Sequence, residues 1–297
     1  MSKQVIYRQS EVKYPVADQA QNLRDLIGVS QPRAMKLITI ASGKGGVGKS
    51  SLSVNLALAL TKLGQRVLVV DADFGLANVD IMLGVNARYN LSHVLRNERQ
   101  MSEIIQEGHG GIRFISGGSG VIELLRMNDD QLLSVMQGIL TLRDPADVIL
   151  FDLGAGINEH IVRLILSSGE TIIVTTPEPT AIMDAYALIK TVSRESLKHP
   201  LRLILNKVED TRESTTMIKG FCELVKNHIG SEITGLGHVN YDEDMSGAIK
   251  RQMPLLLSKP NSVASGQIMD IARSLIDIPT PQPTSKMGRL FAKLFGA

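Results

Sequence analysis

A single cysteine, Cys222, stands in 297 residues. That excludes an internal disulfide framework and any multi-cysteine metal cluster, and it fits a reducing cytoplasm. The six histidines (His93, His109, His160, His199, His228 and His238) show no metal-ligand spacing, so surface or satisfied core positions are expected for them. Charge of one sign is scarce too: the formal net charge is +2, so composition carries no polyanion signal and does not imply nucleic acid as a partner. No apolar run approaches the ~20 residues of a membrane span, and the start has no secretory h-region, so a soluble protein is expected. Hydrophobic residues still make up 43% of the chain, ordinary for a globular protein and sufficient for a substantial core.

What is present is concentrated in Gly43, Lys44, Gly45, Gly46, Val47, Gly48, Lys49 and Ser50. This stretch lies between the apolar run Met35–Ala41 and a helix-like segment, Leu52–Leu60. Two glycines separated by four residues and followed by Lys and Ser form the P-loop pattern, here in the strand-then-helix context that it needs. The glycines let the backbone turn tightly, so that consecutive N–H groups and a helix N-terminus converge on one anionic group. Lys49 then reaches the terminal phosphates and the Ser50 hydroxyl ligates magnesium, with Ser51 next in the phosphate cradle.

Along the rest of the chain, apolar strand-like runs alternate with helical periodicity. Arg66–Asp73 reads as a buried strand ending in two carboxylates, and Ile112–Ile115, Asp147–Asp152, Thr171–Thr176, Leu201–Leu205 and Glu232–Gly235 read as further strands. Asp129–Leu142, Ala181–Ser196 and Thr215–His228 read as helices. The alternation predicts an α/β fold over residues 34–277, a single doubly wound, mainly parallel sheet with helices on both faces and ligands at the strand C-termini. Asp152 ends an apolar strand about one hundred residues past the P-loop, the place of a Walker B carboxylate that holds magnesium through water. Asp71 and Asp73 end the strand after the P-loop helix, and at least one of them is expected near magnesium or the attacking water. Asn206-Lys207-Val208-Glu209 is similar to the Asn-Lys-x-Asp pattern that reads guanine, but Glu209 replaces the guanine-reading Asp. Adenine is therefore the expected base, with Asn206 touching its edge.

Two segments flank this domain. In residues 1–33, the stretch 18–27 has Ala20, Leu23 and Ile27 at helical spacing, with Asp18 as a cap and Gly28 as a stop. Periodicity alone leaves open whether such a helix docks on its own domain or on a partner. Residues 278–285 form a Pro-rich linker, and 286–297 form a basic amphipathic helix. Met287, Leu290, Phe291, Leu294 and Phe295 line one side of it, and Lys286, Arg289 and Lys293 line the other. That pattern suits insertion at an anionic membrane surface, and folding back onto the domain is the alternative.

Lys44-Gly45-Gly46-Val47-Gly48-Lys49-Ser50 resembles the deviant Walker A motif of the MinD/ParA ATPases, and Asp71–Asp80 resembles their segment after the second strand. The resemblance implies a magnesium-dependent ATPase that dimerises on ATP. Lys44 would cross to the partner's nucleotide, Asp73 would position the attacking water, and Asp71 and Asp152 would support magnesium. The terminal basic helix resembles a MinD-type membrane-targeting sequence. Asp18, Gln19, Ala20, Leu23 and Arg24 match the Asp-Gln-Ala-x-x-Leu-Arg motif of the FlhG (YlxH/FleN) family of flagellar number regulators.

For that family the resemblance implies a helix that binds the signal-recognition-type GTPase FlhF and stimulates it. It also implies flagellar switch (C-ring) proteins and anionic inner-membrane lipid as partners, with a flagellar transcription regulator as a further one. The protein would be cytoplasmic and associate peripherally with the inner face of the membrane when ATP-bound. Leu153 departs from the hydroxyl residue common after the Walker B aspartate, and Ser51 stands where threonine is frequent. Rival readings are a MinD-type division-site ATPase, a ParA-type DNA partitioner, which the near-neutral charge disfavours, and a non-hydrolysing scaffold, against which Lys49, Asp73 and Asp152 argue.

Overall fold

Period-two alternation along the strands builds the layers. In the computed structural model, which describes residues 35–277 except 119, 121–123, 125, 126 and 143–145, the first strand β1 (Lys36–Ser42) sends Leu37 and Ala41 to one face of the sheet. Ile38 and Ile40 go to the other face. The same split recurs in β5 (Val148–Ala155): Ile149, Phe151 and Leu153 pack on one face, Val148 and Leu150 on the other. Both faces of each strand are thus apolar, as expected for a sheet covered by helices on both sides.

The remaining strands are β2 (Val67–Ala72), β3 (Gln106–Glu107), β4 (Arg113–Ile115), β6 (Glu170–Thr175), β7 (Leu201–Val208) and β8 (Ile233–Asn240). Their order is β3-β4-β2-β5-β1-β6-β7-β8, parallel throughout except for the antiparallel β3–β4 pair. Helix α1 (Lys49–Lys62) lies on one face together with α6 (Glu243–Lys250) and α7 (Val263–Leu275). On the other face lie α2 (Asp129–Leu140), α3 (Glu159–Ser167), α4 (Pro179–Glu195) and α5 (Thr211–Ile229). The strand order reverses around β1, so the loop leaving β1 opens into the crevice that such sheets use for ligands.

The expected doubly wound sheet is therefore present, with ends displaced by a few residues from those read in the sequence. Strand β8 runs five residues beyond its expected end, and β3, α6 and α7 add to the expected elements. The helix expected at 18–27, the linker 278–285 and the basic helix 286–297 lie outside the described residues. Among the described residues, no helix is long and apolar enough to cross a membrane.

Candidate functional site

The loop from Gly43 to Gly48 joins β1 to α1, and two glycines set its shape. Gly46 and Gly48 have φ of 80° and 88°, in the left-handed region that a side chain disfavours. Gly48 is also the N-cap of α1, and no side chain caps that end. The first-turn N–H groups of α1 are consequently available to an anion at the mouth of the loop. Gly43 is constrained by space: a Cβ there would lie 2.2 Å from the Asp184 carbonyl oxygen of α4. Gly43→Ala is therefore expected to push the loop off α4, costing about 1–3 kcal/mol as other overpacked sites do. Thermal unfolding should show that loss, and equilibrium binding should show at least an order of magnitude weaker nucleotide affinity, since the cradle itself moves.

Behind the loop sits a buried ionic corner. Lys49 Nζ donates to Asp152 Oδ1 at 2.9 Å and to Ser50 Oγ at 3.3 Å. Lys49 is 6% exposed and Asp152 1%. Ser53, one turn along α1 from Lys49, donates its hydroxyl to the same Oδ1 at 2.8 Å. The other oxygen, Asp152 Oδ2, is buried and has no hydrogen-bond partner among the described residues. Asp71 lies opposite Asp152 in the β2–β5 register, so two carboxylates stand abreast on adjacent strands. Burial, and secondarily the Asp152 charge, push Asp71 up to about 7, although three backbone N–H donors pull the other way. With two carboxylates abreast and a single ammonium, paired to Asp152, the corner is short of positive charge. A magnesium ion fits that deficit: the unpartnered Oδ2 and the Ser50 hydroxyl are the hard oxygen donors it prefers, and it binds through few protein ligands plus water.

Asp71 has a second occupation. Its oxygens accept from the backbone N–H groups of Asp73 (3.0 Å), Asn78 (2.8 Å) and Val79 (3.0 Å), so it folds the 73–79 loop around itself. Asp73 lies beyond the end of β2 on that loop, lines the cleft, and accepts from Leu76 N–H through Oδ1 at 3.1 Å. The same Oδ1 is 3.4 Å from where a Cβ on Gly154 would be, which sets Asp73 beside the C-terminal end of β5. Leu153 points to the opposite sheet face and is buried in the core, so its lack of a hydroxyl does not bear on the ionic corner.

The cleft over the loop measures about 500 Å³ and brings Lys44 to Ser51, Asp73 and Asn206 onto one surface. Asn206 donates Nδ2 to the Val47 carbonyl at 2.7 Å, and Lys207 donates Nζ to the Gly46 carbonyl at 2.7 Å. The pair braces the P-loop from β7. With its N–H end pinned, Asn206 keeps Oδ1 as an acceptor. Glu209 is exposed and does not line the cleft. Lys44 does not join Lys49: it donates to Glu178 Oε2 at 3.0 Å and Thr180 Oγ1 at 2.9 Å, at the start of α4. Ser51 turns its hydroxyl to Met245 Sδ at 3.0 Å, on the far wall formed by Asn240–Ser246.

Ser53, the bond from Lys207 to the P-loop and the far wall escape the sequence reading. Ser53 carried a usable signal, its i+4 spacing from Lys49 on one helix face. The contacts of Lys207 and of the far wall span more than 150 positions, and no local pattern announces them.

Comparison with known proteins places this arrangement. The CobQ/CobB/MinD/ParA nucleotide binding domain profile matches residues 38–255. The flagellum site-determining protein YlxH of Helicobacter pylori is 36% identical over 270 residues, 87% of this chain and 90% of that protein. The antiactivator FleN of Pseudomonas aeruginosa is 32% identical over 247 residues, 83% of this chain and 88% of that protein. Among solved structures, a chain of the MinC:MinD cell division protein complex of Aquifex aeolicus superposes with a TM-score of 0.67 at 27% identity. The match covers 84% of this chain and 98% of that one.

Proposed function

The chain belongs to the CobQ/CobB/MinD/ParA family of P-loop ATPases, and from that premise we propose that it is an ATP-driven dimerisation switch controlling flagellar number and placement. The observation that carries the switch is the division between its two P-loop lysines. Lys49 is buried against Asp152, whereas Lys44 stands apart, partly exposed and held by Glu178 and Thr180. A lysine outside its own ionic corner is available to a second copy's nucleotide.

In this reading the triphosphate lies against the N–H groups of the loop and α1, with Lys49 on its terminal oxygens. Ser50 and Asp152, supported by Asp71 on the adjacent strand, would hold magnesium, which would supply positive charge to the phosphates. Phosphoryl transfer passes through a loose transition state, so catalysis is mostly charge neutralisation and positioning of water. Asp73, beside the strand ends at the phosphate side of the cleft, orients that water. Asn206 Oδ1, an acceptor, pairs with the exocyclic amine of adenine and meets an unfavourable carbonyl in guanine. ATP closes the dimer, the basic terminal segment 286–297 engages anionic inner-membrane lipid, and hydrolysis returns a cytosolic monomer.

Dimer formation requires Lys44 to leave Glu178 and Thr180. The double change Glu178→Gln, Thr180→Val should therefore lower the protein concentration at which ATP produces dimer, by about two- to fivefold, since an exposed ion pair is worth under about 1 kcal/mol. Light scattering across a dilution series measures it.

The flagellar output is tested by GTP hydrolysis of FlhF with and without this protein, wild type against Gln19→Ala, Arg24→Ala. Stimulation that the double variant loses supports the assignment. Absence of stimulation by wild type moves the reading to a division-site ATPase, which the likeness to the MinC:MinD complex favours as the second choice.

A further inference from the structure

The far wall of the cleft holds an aromatic ring that the phosphate chemistry does not use. Tyr241 lines the cleft and is 55% exposed. Its backbone is pinned on three consecutive residues. Asn240 N–H donates to Gln267 Oε1 at 2.8 Å, Tyr241 N–H to the Val208 carbonyl at 2.9 Å, and Asp242 caps α6 by accepting from Asp244 N–H at 2.9 Å. A large ring left open to solvent on an anchored backbone is preorganised for something planar.

The neighbouring polar group is already committed. Asn240 accepts from Gln267 Nε2 through Oδ1 at 2.8 Å and donates Nδ2 to Thr211 Oγ1 at 3.0 Å. These two bonds tie the Asn240 amide to α7 and α5 and hold the start of this loop in place. Apolar side chains complete the surroundings: Met82, Met245 and Ile249 also line the cleft. With the phosphates at the α1 N-terminus, the base end of a nucleotide extends past Ser51, whose hydroxyl contacts Met245, toward this wall.

We propose that Tyr241 is the base platform of the cleft, stacking its ring on the purine and so contributing selectivity for purine over pyrimidine nucleotides. This rests on the P-loop reading above and adds to it a residue and a mode of recognition. The polar edge is read by Asn206 and the flat face by Tyr241. Stacking on an aromatic ring tolerates any purine, so the preference for adenine over guanine stays with Asn206.

The test compares wild type, Tyr241→Ala and Tyr241→Phe for equilibrium binding of ATP, CTP and inorganic tripolyphosphate to the full chain. Tyr241→Ala should weaken ATP by about tenfold or more, in the range of base–aromatic stacking. It should leave tripolyphosphate within about twofold, and reduce the ATP-over-CTP preference. Tyr241→Phe should bind ATP like wild type. The chain has five tyrosines and no tryptophan, so its intrinsic emission is tyrosine emission, and ATP should quench it in wild type more than in Tyr241→Phe.

Unchanged ATP affinity in Tyr241→Ala overturns the platform while leaving the P-loop reading intact. Equal losses for ATP and tripolyphosphate also overturn it, because they mark a structural role. A wild type that binds neither ligand overturns the P-loop reading itself, and the platform with it.

Discussion

Lys49→Met should reduce ATP hydrolysis by about 10²–10³-fold or more, the scale on which a single preorganised donor at a developing charge acts. It should also destabilise the fold. Lys49 Nζ is 2.9 Å from Asp152 Oδ1, both residues are almost fully buried, and Asp71 is the neighbour of Asp152 in the sheet register. Removing the ammonium leaves two carboxylates side by side with only hydrogen bonds to oppose their charge. Breaking a buried pair by deleting one partner costs about 3–5 kcal/mol, because the remaining charge is left without compensation. Denaturant titration of the nucleotide-free protein should show a loss of that size.

The double variant Lys49→Met, Asp152→Asn separates the two effects. An amide replaces the carboxylate at nearly constant volume and still accepts from Ser53, so most of the lost stability should return, while hydrolysis stays absent because the phosphate-binding cation is gone. If Lys49→Met unfolded at the wild-type denaturant concentration, the ion pair would not be a structural element of the corner. If the double variant hydrolysed ATP, Lys49 would not be the group on the phosphates.

The sequence announces most of what is local. The P-loop glycines, the apolar strand before them and the position of Lys49 and Ser50 are all within one short window, where backbone requirements write themselves as glycine. Asp152 is legible for a different reason: an apolar strand that ends in a carboxylate points to the C-terminal edge of a parallel sheet. Helix α7 carried a readable stripe too, with Ala264, Ile268, Ile271, Ala272 and Leu275 buried at helical spacing. By contrast, β3 is two residues long, too short for any period, and exists because it pairs antiparallel with β4.

Long-range contacts were the illegible part. The partners of Lys44, at Glu178 and Thr180, are more than 130 positions away, and the clash that fixes Gly43 comes from the backbone of α4. Asp71 shows the limit most clearly. The sequence reading puts both Asp71 and Asp73 at the end of the strand, but only Asp71 belongs to it, and it turns inward to hold the following loop.

That difference between the two carboxylates yields the last expected result. Asp73→Asn should lower the turnover of ATP by at least about 10²-fold, the lower bound for removing a positioned group that manages a proton or a water. It should leave unfolding temperature and ATP affinity close to wild type. The loop carrying residue 73 is held by Asp71 through Asp73, Asn78 and Val79 N–H groups. Among the described residues, the one hydrogen bond made by the Asp73 side chain, from Leu76 N–H to Oδ1, survives in the amide. Chemistry and loop folding are therefore carried by different residues, and a substitution at 73 reaches the first without the second.

A switch that binds ATP and cannot spend it should accumulate as dimer. Size-exclusion chromatography with light scattering should find Asp73→Asn dimeric long after wild type has returned to monomer, and pelleting with anionic vesicles should retain it. Asp71→Asn is the contrast: it weakens three backbone hydrogen bonds at once and should lower both the unfolding temperature and ATP affinity. Were Asp73→Asn to lose affinity in step with turnover, residue 73 would be part of the nucleotide cradle, and the division of labour between the two aspartates would have to be abandoned.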